Sequence, residues 1–92
     1  MFSSGGKVQL FQNQPNPFNA QTVIRYELIE TGPTSLTVSD MLGRRMATLV
    51  DETKDAGIYE ARFDATTFSS GVYFSVLRTP TMTLSRVMSV VK

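Results

Sequence analysis

Apolar and polar residues alternate with a period of two in one short run after another. No window widens to the three-to-four-residue spacing of a helix. Thr22 to Leu28 puts Ile24, Tyr26 and Leu28 on one face and Arg25 and Glu27 on the other, with Val23 out of phase. Ser35 to Ser39 repeats the pattern with Leu36 and Val38 inward. Ile58 to Phe63 repeats it with Tyr59, Ala61 and Phe63 on one face. Lys7 to Phe11, Arg45 to Val50, the β-branched and aromatic run Gly71 to Arg78, and Leu84 to Val91 complete about seven strands at near-regular spacing. Turn chemistry separates them: Gly32-Pro33, the charged run Asp51 to Ala56 closed by Gly57, Asp64 to Ser70 with Phe68 as a plug, and Thr79 to Thr81. Asp40-Met41-Leu42-Gly43 suits a type I turn with glycine in the left-handed region, joining a hairpin. The loops are too short for helical crossovers, so the strands pair antiparallel. The expected fold is all-β, a sandwich, with a small barrel as the rival.

One segment resists the pattern. FQNQPNPFNAQT, residues 11–22, carries no charge. Gln14 and Asn16 each precede a proline, which biases both toward extended backbone. Pro15 and Pro17 lack a donor N–H, so this is no central strand. Phe18 can anchor the segment by burial, worth roughly 2–3 kcal/mol. Asn13, Asn16 and Asn19 can satisfy the freed main-chain groups locally. The expected result is a stiff uncharged strap across one end of the sandwich.

Composition removes several functions. The chain of 92 residues contains neither cysteine nor histidine, which excludes thiol nucleophiles, Ser-His-Asp chemistry and the usual zinc and iron–sulfur sites. The absence of cysteine is compatible with any redox compartment. The net charge is +1 and the charges are scattered, so there is no electrostatic footprint for nucleic acid. No apolar run approaches the length of a membrane-spanning helix. MFSSGG, residues 1–6, has flexible-linker composition and no secretory h-region, and is expected to be an artificial start or linker remnant ahead of a domain at 7–92.

Candidate chemistry is sparse. Asp51, Glu52 and Asp55 cluster around Lys54 and could offer oxygens to calcium, but EF-hand spacing is missing and a solvated loop is the plainer reading. Asp40 and Asp64 precede turns, and turn capping accounts for both. A carbohydrate-binding module would want an aromatic platform. Tyr26 and Tyr59 share faces with core residues, and tryptophan is absent. In SSGVYF, Gly71 opens a strand where positive φ is plausible. Tyr73 is placed to reach a main-chain group, as in the tyrosine corner of sandwich domains. The last strand, ending Val90-Val91-Lys92, reads as an edge strand open to pairing, with Lys92 either a gatekeeper or part of a recognised tail.

Taken together, these motifs resemble the C-terminal sorting domains of the type IX secretion system, found in Bacteroidetes and relatives. The opening pattern is met by Leu10, Gln12, Asn13, Pro15, Asn16, Pro17, Phe18, Asn19, Thr22, Ile24, Tyr26 and Leu28. A second block is met by Val38, Asp40, Leu42, Gly43, Arg44, Thr48, Leu49 and Val50. A third is met by Gly57, Tyr59, Phe63, Asp64 and Ser70 to Phe74, and the closing strand by Arg86, Met88 and Lys92. The chain departs from the pattern at Ser39, where tyrosine is usual, at Leu28-Ile29, where Leu-Pro is frequent, at Pro80, where glycine is common, and at Arg86-Val87, where a basic pair is usual. The strands also resemble the immunoglobulin-like domain of flagellar hook-capping proteins.

The resemblance implies an immunoglobulin-like antiparallel β-sandwich of about seven strands that is a non-catalytic sorting and anchoring domain, monomeric and without cofactor or metal. It implies a place at the C-terminus of a larger secreted protein that passes through the periplasm to the cell surface or medium. The implied partners are the outer-membrane translocon and a sortase-like peptidase, with the cargo joined to surface lipopolysaccharide after cleavage. It points to Gly71 and Tyr73 for shape and to Arg86, Val90 and Lys92 for the recognised tail. The competing expectation is an accessory carbohydrate-binding or spacer module of a secreted glycoside hydrolase.

Overall fold

A computed structural model describes residues 7–92, so the expected linker at 1–6 lies outside the described residues. The described residues form β1 (Gln9–Leu10), β2 (Gln21–Leu28), β3 (Gly32–Asp40), β4 (Arg45–Lys54), β5 (Gly57–Asp64), β6 (Gly71–Arg78) and β7 (Thr83–Val90). They make two sheets, one in the order β1-β2-β5 and one in the order β4-β3-β6-β7, and every pairing is antiparallel. This is the immunoglobulin-like sandwich; the sheets do not close into the rival barrel.

Alternation fills the space between the sheets. From β2 come Thr22, Ile24, Tyr26 and Leu28, and from β3 come Leu36 and Val38, all buried. Phe63 of β5, Tyr73 and Leu77 of β6, and Met88 and Val90 of β7 complete the core with Phe18 from the strap. Register matches these layers. Thr22 lies opposite Phe63, Leu36 opposite Leu77, and Tyr73 opposite Met88. Phe68 is the expected plug. Its ring packs edge-on to Phe63 at 5.2 Å and to Tyr73 at 5.4 Å.

Four local expectations need correction. Gly32-Pro33 is not a turn but the start of β3. At Pro33 the strand pairs with β4 alone, because β6 joins only from Ser35, and proline is tolerated in such a one-sided stretch. Asp51 to Lys54 is not a loop but the end of β4, an edge strand that keeps Asp51 and Glu52 in water while Lys54 folds over the Tyr59 ring. β1 is limited to Gln9–Leu10, because the chain leaves the ladder at Phe11 to become the strap. Glu27 was expected outward with Arg25, yet it is 1% exposed. It lies on the middle strand of its sheet, flanked by Gln9 on one side and Ile58 on the other.

Candidate recognition site

The tail is built outward from β7. On one side β7 pairs with β6 along its whole length, Gly71 to Val90 and Arg78 to Thr83. The other side is the edge of the sheet, and the strap lies along it. Gln12 donates from Nε2 to the Val87 carbonyl at 2.6 Å. Asn16 Oδ1 accepts from the Ser89 N–H at 3.0 Å. Phe18 donates its N–H to the Ser89 carbonyl, and its carbonyl accepts from the Val91 N–H. The edge expected to lie open at 87–91 is therefore covered by the protein's own N-terminal segment.

The strap grips β2 just as firmly. The Phe11 N–H donates to the Arg25 carbonyl, and Gln14 and Val23 exchange both main-chain hydrogen bonds. Buried Asn13 holds its bend. Its Nδ2 donates to the Pro15 carbonyl at 2.9 Å and to Thr22 Oγ1 at 3.0 Å, and its Oδ1 accepts from Gln12. The Thr22 hydroxyl adds a bond to the same Pro15 carbonyl. An amide-rich, charge-free sequence suits this role, because amides donate and accept at once and carry no charge to desolvate. Asn19 is exposed and lines an open cleft with Pro15, Pro17 and Phe18.

Gly71, Tyr73, Val90 and Lys92 come together at one end of the sandwich. Gly71 has φ +155° and lies opposite Val90. The Tyr73 hydroxyl donates to the Ser69 carbonyl at 2.8 Å, the expected corner. The Tyr59 hydroxyl makes the same kind of bond to the Asp55 carbonyl at 2.7 Å, after Gly57 with φ +156°. A glycine-x-tyrosine step thus closes the loop before β5 and the loop before β6 alike. Val90 is 2% exposed and bridges to Phe18.

The two cations of the tail turn onto carbonyl groups. Lys92 Nζ donates to Ala65 at 2.7 Å and to Thr66 at 3.1 Å, while its main-chain N–H reaches Ser70 Oγ at 3.0 Å. Arg86 lies further along β7, away from this cluster, and its Nε donates to the Leu10 carbonyl at 2.8 Å. Lys92 also touches the electrostatics of Asp64. Hydrogen bonds from the Thr66 hydroxyl and N–H hold the Asp64 carboxyl below its ordinary pKa, and the Lys92 charge adds to the effect.

Asp40 and Gly43 form the expected β3–β4 turn. Gly43 has φ +82°, and its N–H donates to the Asp40 carbonyl at 3.0 Å. Asp40 Oδ1 accepts from the N–H groups of Leu42 and Arg44, and Oδ2 pairs with Arg44 Nε at 2.7 Å. Desolvation works to raise the Asp40 pKa, but the bonds from Arg44 and Leu42 outweigh it and leave the carboxyl lowered.

The residues expected for the two binding alternatives do not form their sites. Tyr26 is buried, stacked on Tyr59 at 5.4 Å, and Lys54 Nζ covers the Tyr59 ring at 4.4 Å. These rings are core, not a sugar platform. Asp51 and Glu52 are neighbours on a strand and project to opposite sides. Among the described residues no cluster of carboxylates is placed to hold a metal ion.

Sequence reasoning matched Gln12 and Ser70 to the family pattern without giving either a role, and it missed Ser89; all three help fix the tail. A family model described as the secretion system C-terminal sorting domain matches residues 14–90. No curated protein matches the chain.

Proposed function

The chain belongs to the type IX secretion C-terminal sorting domains, and from that premise we propose that its folded sandwich is the export address of a larger protein. The domain is a non-catalytic signal, and a protein that carries it is secreted to the surface. In this reading the parent enters the periplasm by a separate N-terminal signal. The folded domain is then recognised by the outer-membrane translocon. A sortase-like peptidase cleaves ahead of the domain and joins the cargo to surface lipopolysaccharide.

Gly71 and Tyr73 contribute by setting the shape of the β5–β6 loop. Lys92 contributes by holding the tail against that loop, Val90 by holding it against the strap, and Arg86 by holding β7 against β1. The family match over 14–90 carries this reading. The stitching of the motif-bearing strap to β7 supports it, because the segments that carry the family pattern meet along one seam. The test is export of the full chain fused to a periplasm-targeted fluorescent protein. Surface or medium fluorescence is expected in a type IX-competent bacterium and not in the same strain lacking the translocon. Retention in the periplasm of both strains, with the domain folded, overturns the reading.

A further inference from the structure

Resting on the sorting reading, we infer that the outer-membrane recognition component docks on an uncharged surface built from both ends of the chain. That surface comprises Val72, Phe74 and Val87 on the outer face of β6 and β7, and Pro15, Pro17 and Val91 at the strap. Arg86 and Lys92 position this surface and do not supply its contacts.

Register makes the first half of the surface. Phe74 lies directly opposite Val87, and Val72 lies two residues along the same face, opposite Ser89. Val72 is 37% exposed and Val87 is 49% exposed, although both stand on strands whose other face is the core. The second half is an open cleft of about 410 Å³ lined by Pro15, Pro17, Phe18, Asn19, Gln21 and Val91. Val91 is 56% exposed there. The two halves are continuous, because Phe18 bonds Ser89 and Val91 on either side of Val90.

Charge argues for the kind of partner. No residue from Phe11 to Thr22 is charged, and none lining the cleft is. The two cations nearest the seam are directed at main-chain carbonyls, Arg86 at Leu10 and Lys92 at Ala65 and Thr66. Beyond Val72 the surface is bordered by Asp40 and Arg44, which pair with each other; along the seam itself what remains outward is valine, phenylalanine, proline and amide. Such a surface is cheap to desolvate against an apolar partner and costly to match with a charged one. The partner is therefore an uncharged, apolar protein surface, not an acidic one reaching for the tail's basic residues.

The experiment is export of the full-chain fusion in the type IX-competent bacterium, wild type beside Val87→Asp, Val91→Asp and a control. The control is Ile29→Asp, which adds the same charge to the β2–β3 loop, outside the proposed surface, where Ile29 is 42% exposed. The expected result is a loss of export of about tenfold or more for Val87→Asp and Val91→Asp, with melting temperatures unchanged and Ile29→Asp exported like wild type. If Val87→Asp does not fold, Val91→Asp decides, because its side chain lies beyond the β7 ladder. Export of both variants at the wild-type level overturns the docking surface while leaving the sorting reading intact. Failure of the wild type itself removes the sorting reading instead. A purified domain that is a dimer, and that Val87→Asp makes monomeric, also overturns the inference, since the surface would then serve a second copy of the chain.

Discussion

Asn16 Oδ1 accepts a hydrogen bond from the Ser89 main-chain N–H at 3.0 Å, joining positions 73 residues apart. With Gln12 on the Val87 carbonyl and Phe18 on Ser89 and Val91, it makes the strap a substitute strand on the β7 edge. Replacing Asn16 by alanine should cost about 0.5–1.5 kcal/mol in denaturant unfolding and speed amide exchange at Ser89. Asn16→Asp keeps the acceptor and should restore slow exchange at that amide. Gln12→Glu removes the donor to Val87 and should not behave like wild type.

Phe18 ties the strap into the core. It is 4% exposed, and its ring meets Phe63 edge-on at 6.0 Å. Phe18→Ala should destabilise the domain by about 3–5 kcal/mol, a large share of what a small domain has. Urea unfolding measures this. A loss under about 1 kcal/mol would mean that the strap is held by its hydrogen bonds alone.

The two tyrosine corners differ in burial, and their phenylalanine variants should differ accordingly. Tyr73 is 7% exposed, while Tyr59 is only partly buried against the core. Tyr73→Phe should cost about 1 kcal/mol by thermal melting, because the Ser69 carbonyl loses its donor near the core. Tyr59→Phe should cost less, since water can reach the exposed Asp55 carbonyl.

The type I turn offers a backbone test. At Gly43, φ +82° is disfavoured for other residues, yet an added Cβ would meet nothing within 4 Å. Gly43→Ala should therefore cost about 1 kcal/mol from conformation alone, with no clash to relieve. Chemical denaturation of the variant checks it.

Stability should fall at both ends of the pH scale. Burial, with the nearby Tyr59 and Glu52, raises the Tyr26 hydroxyl from 10.0 to about 12. A raised folded-state pKa gives stability that is complete below pH 10 and is lost as pH rises toward 12. Tyr26→Phe should flatten that alkaline limb. Asp40 and Asp64 lie below their ordinary 3.8, so their contribution is present above that pH and is lost as pH falls through the folded values. Unfolding curves measured across the pH range test both limbs.

Much of this fold is legible in the sequence, because alternation and turn residues act locally. Ile24, Tyr26, Leu36, Val38 and Phe63 could each be assigned to the core from their neighbours alone, and so could the Tyr73 corner. The misreadings involve residues whose environment is set by distant strands. Glu27 obeys the outward phase of β2, yet it is buried between Gln9 and Ile58. Asp51 to Lys54 looks like a loop because charge on an edge strand and charge in a loop give the same local pattern. At the tail, Arg86 and Lys92 stand where the family motif suggests. Their partners, the carbonyls of Leu10, Ala65 and Thr66, are main-chain atoms of other segments, and no side-chain pattern reports them.

The central claim is that the sorting signal is a folded surface made by both ends of the chain. The most direct measurement compares export of a fluorescent fusion carrying the full chain with one carrying residues 83–92 alone, in the same type IX-competent bacterium. The expected result is surface delivery for the full chain and periplasmic retention for the isolated tail. Equal delivery of the two would contradict the claim, since the tail would then be read as a linear sequence without the strap that holds it.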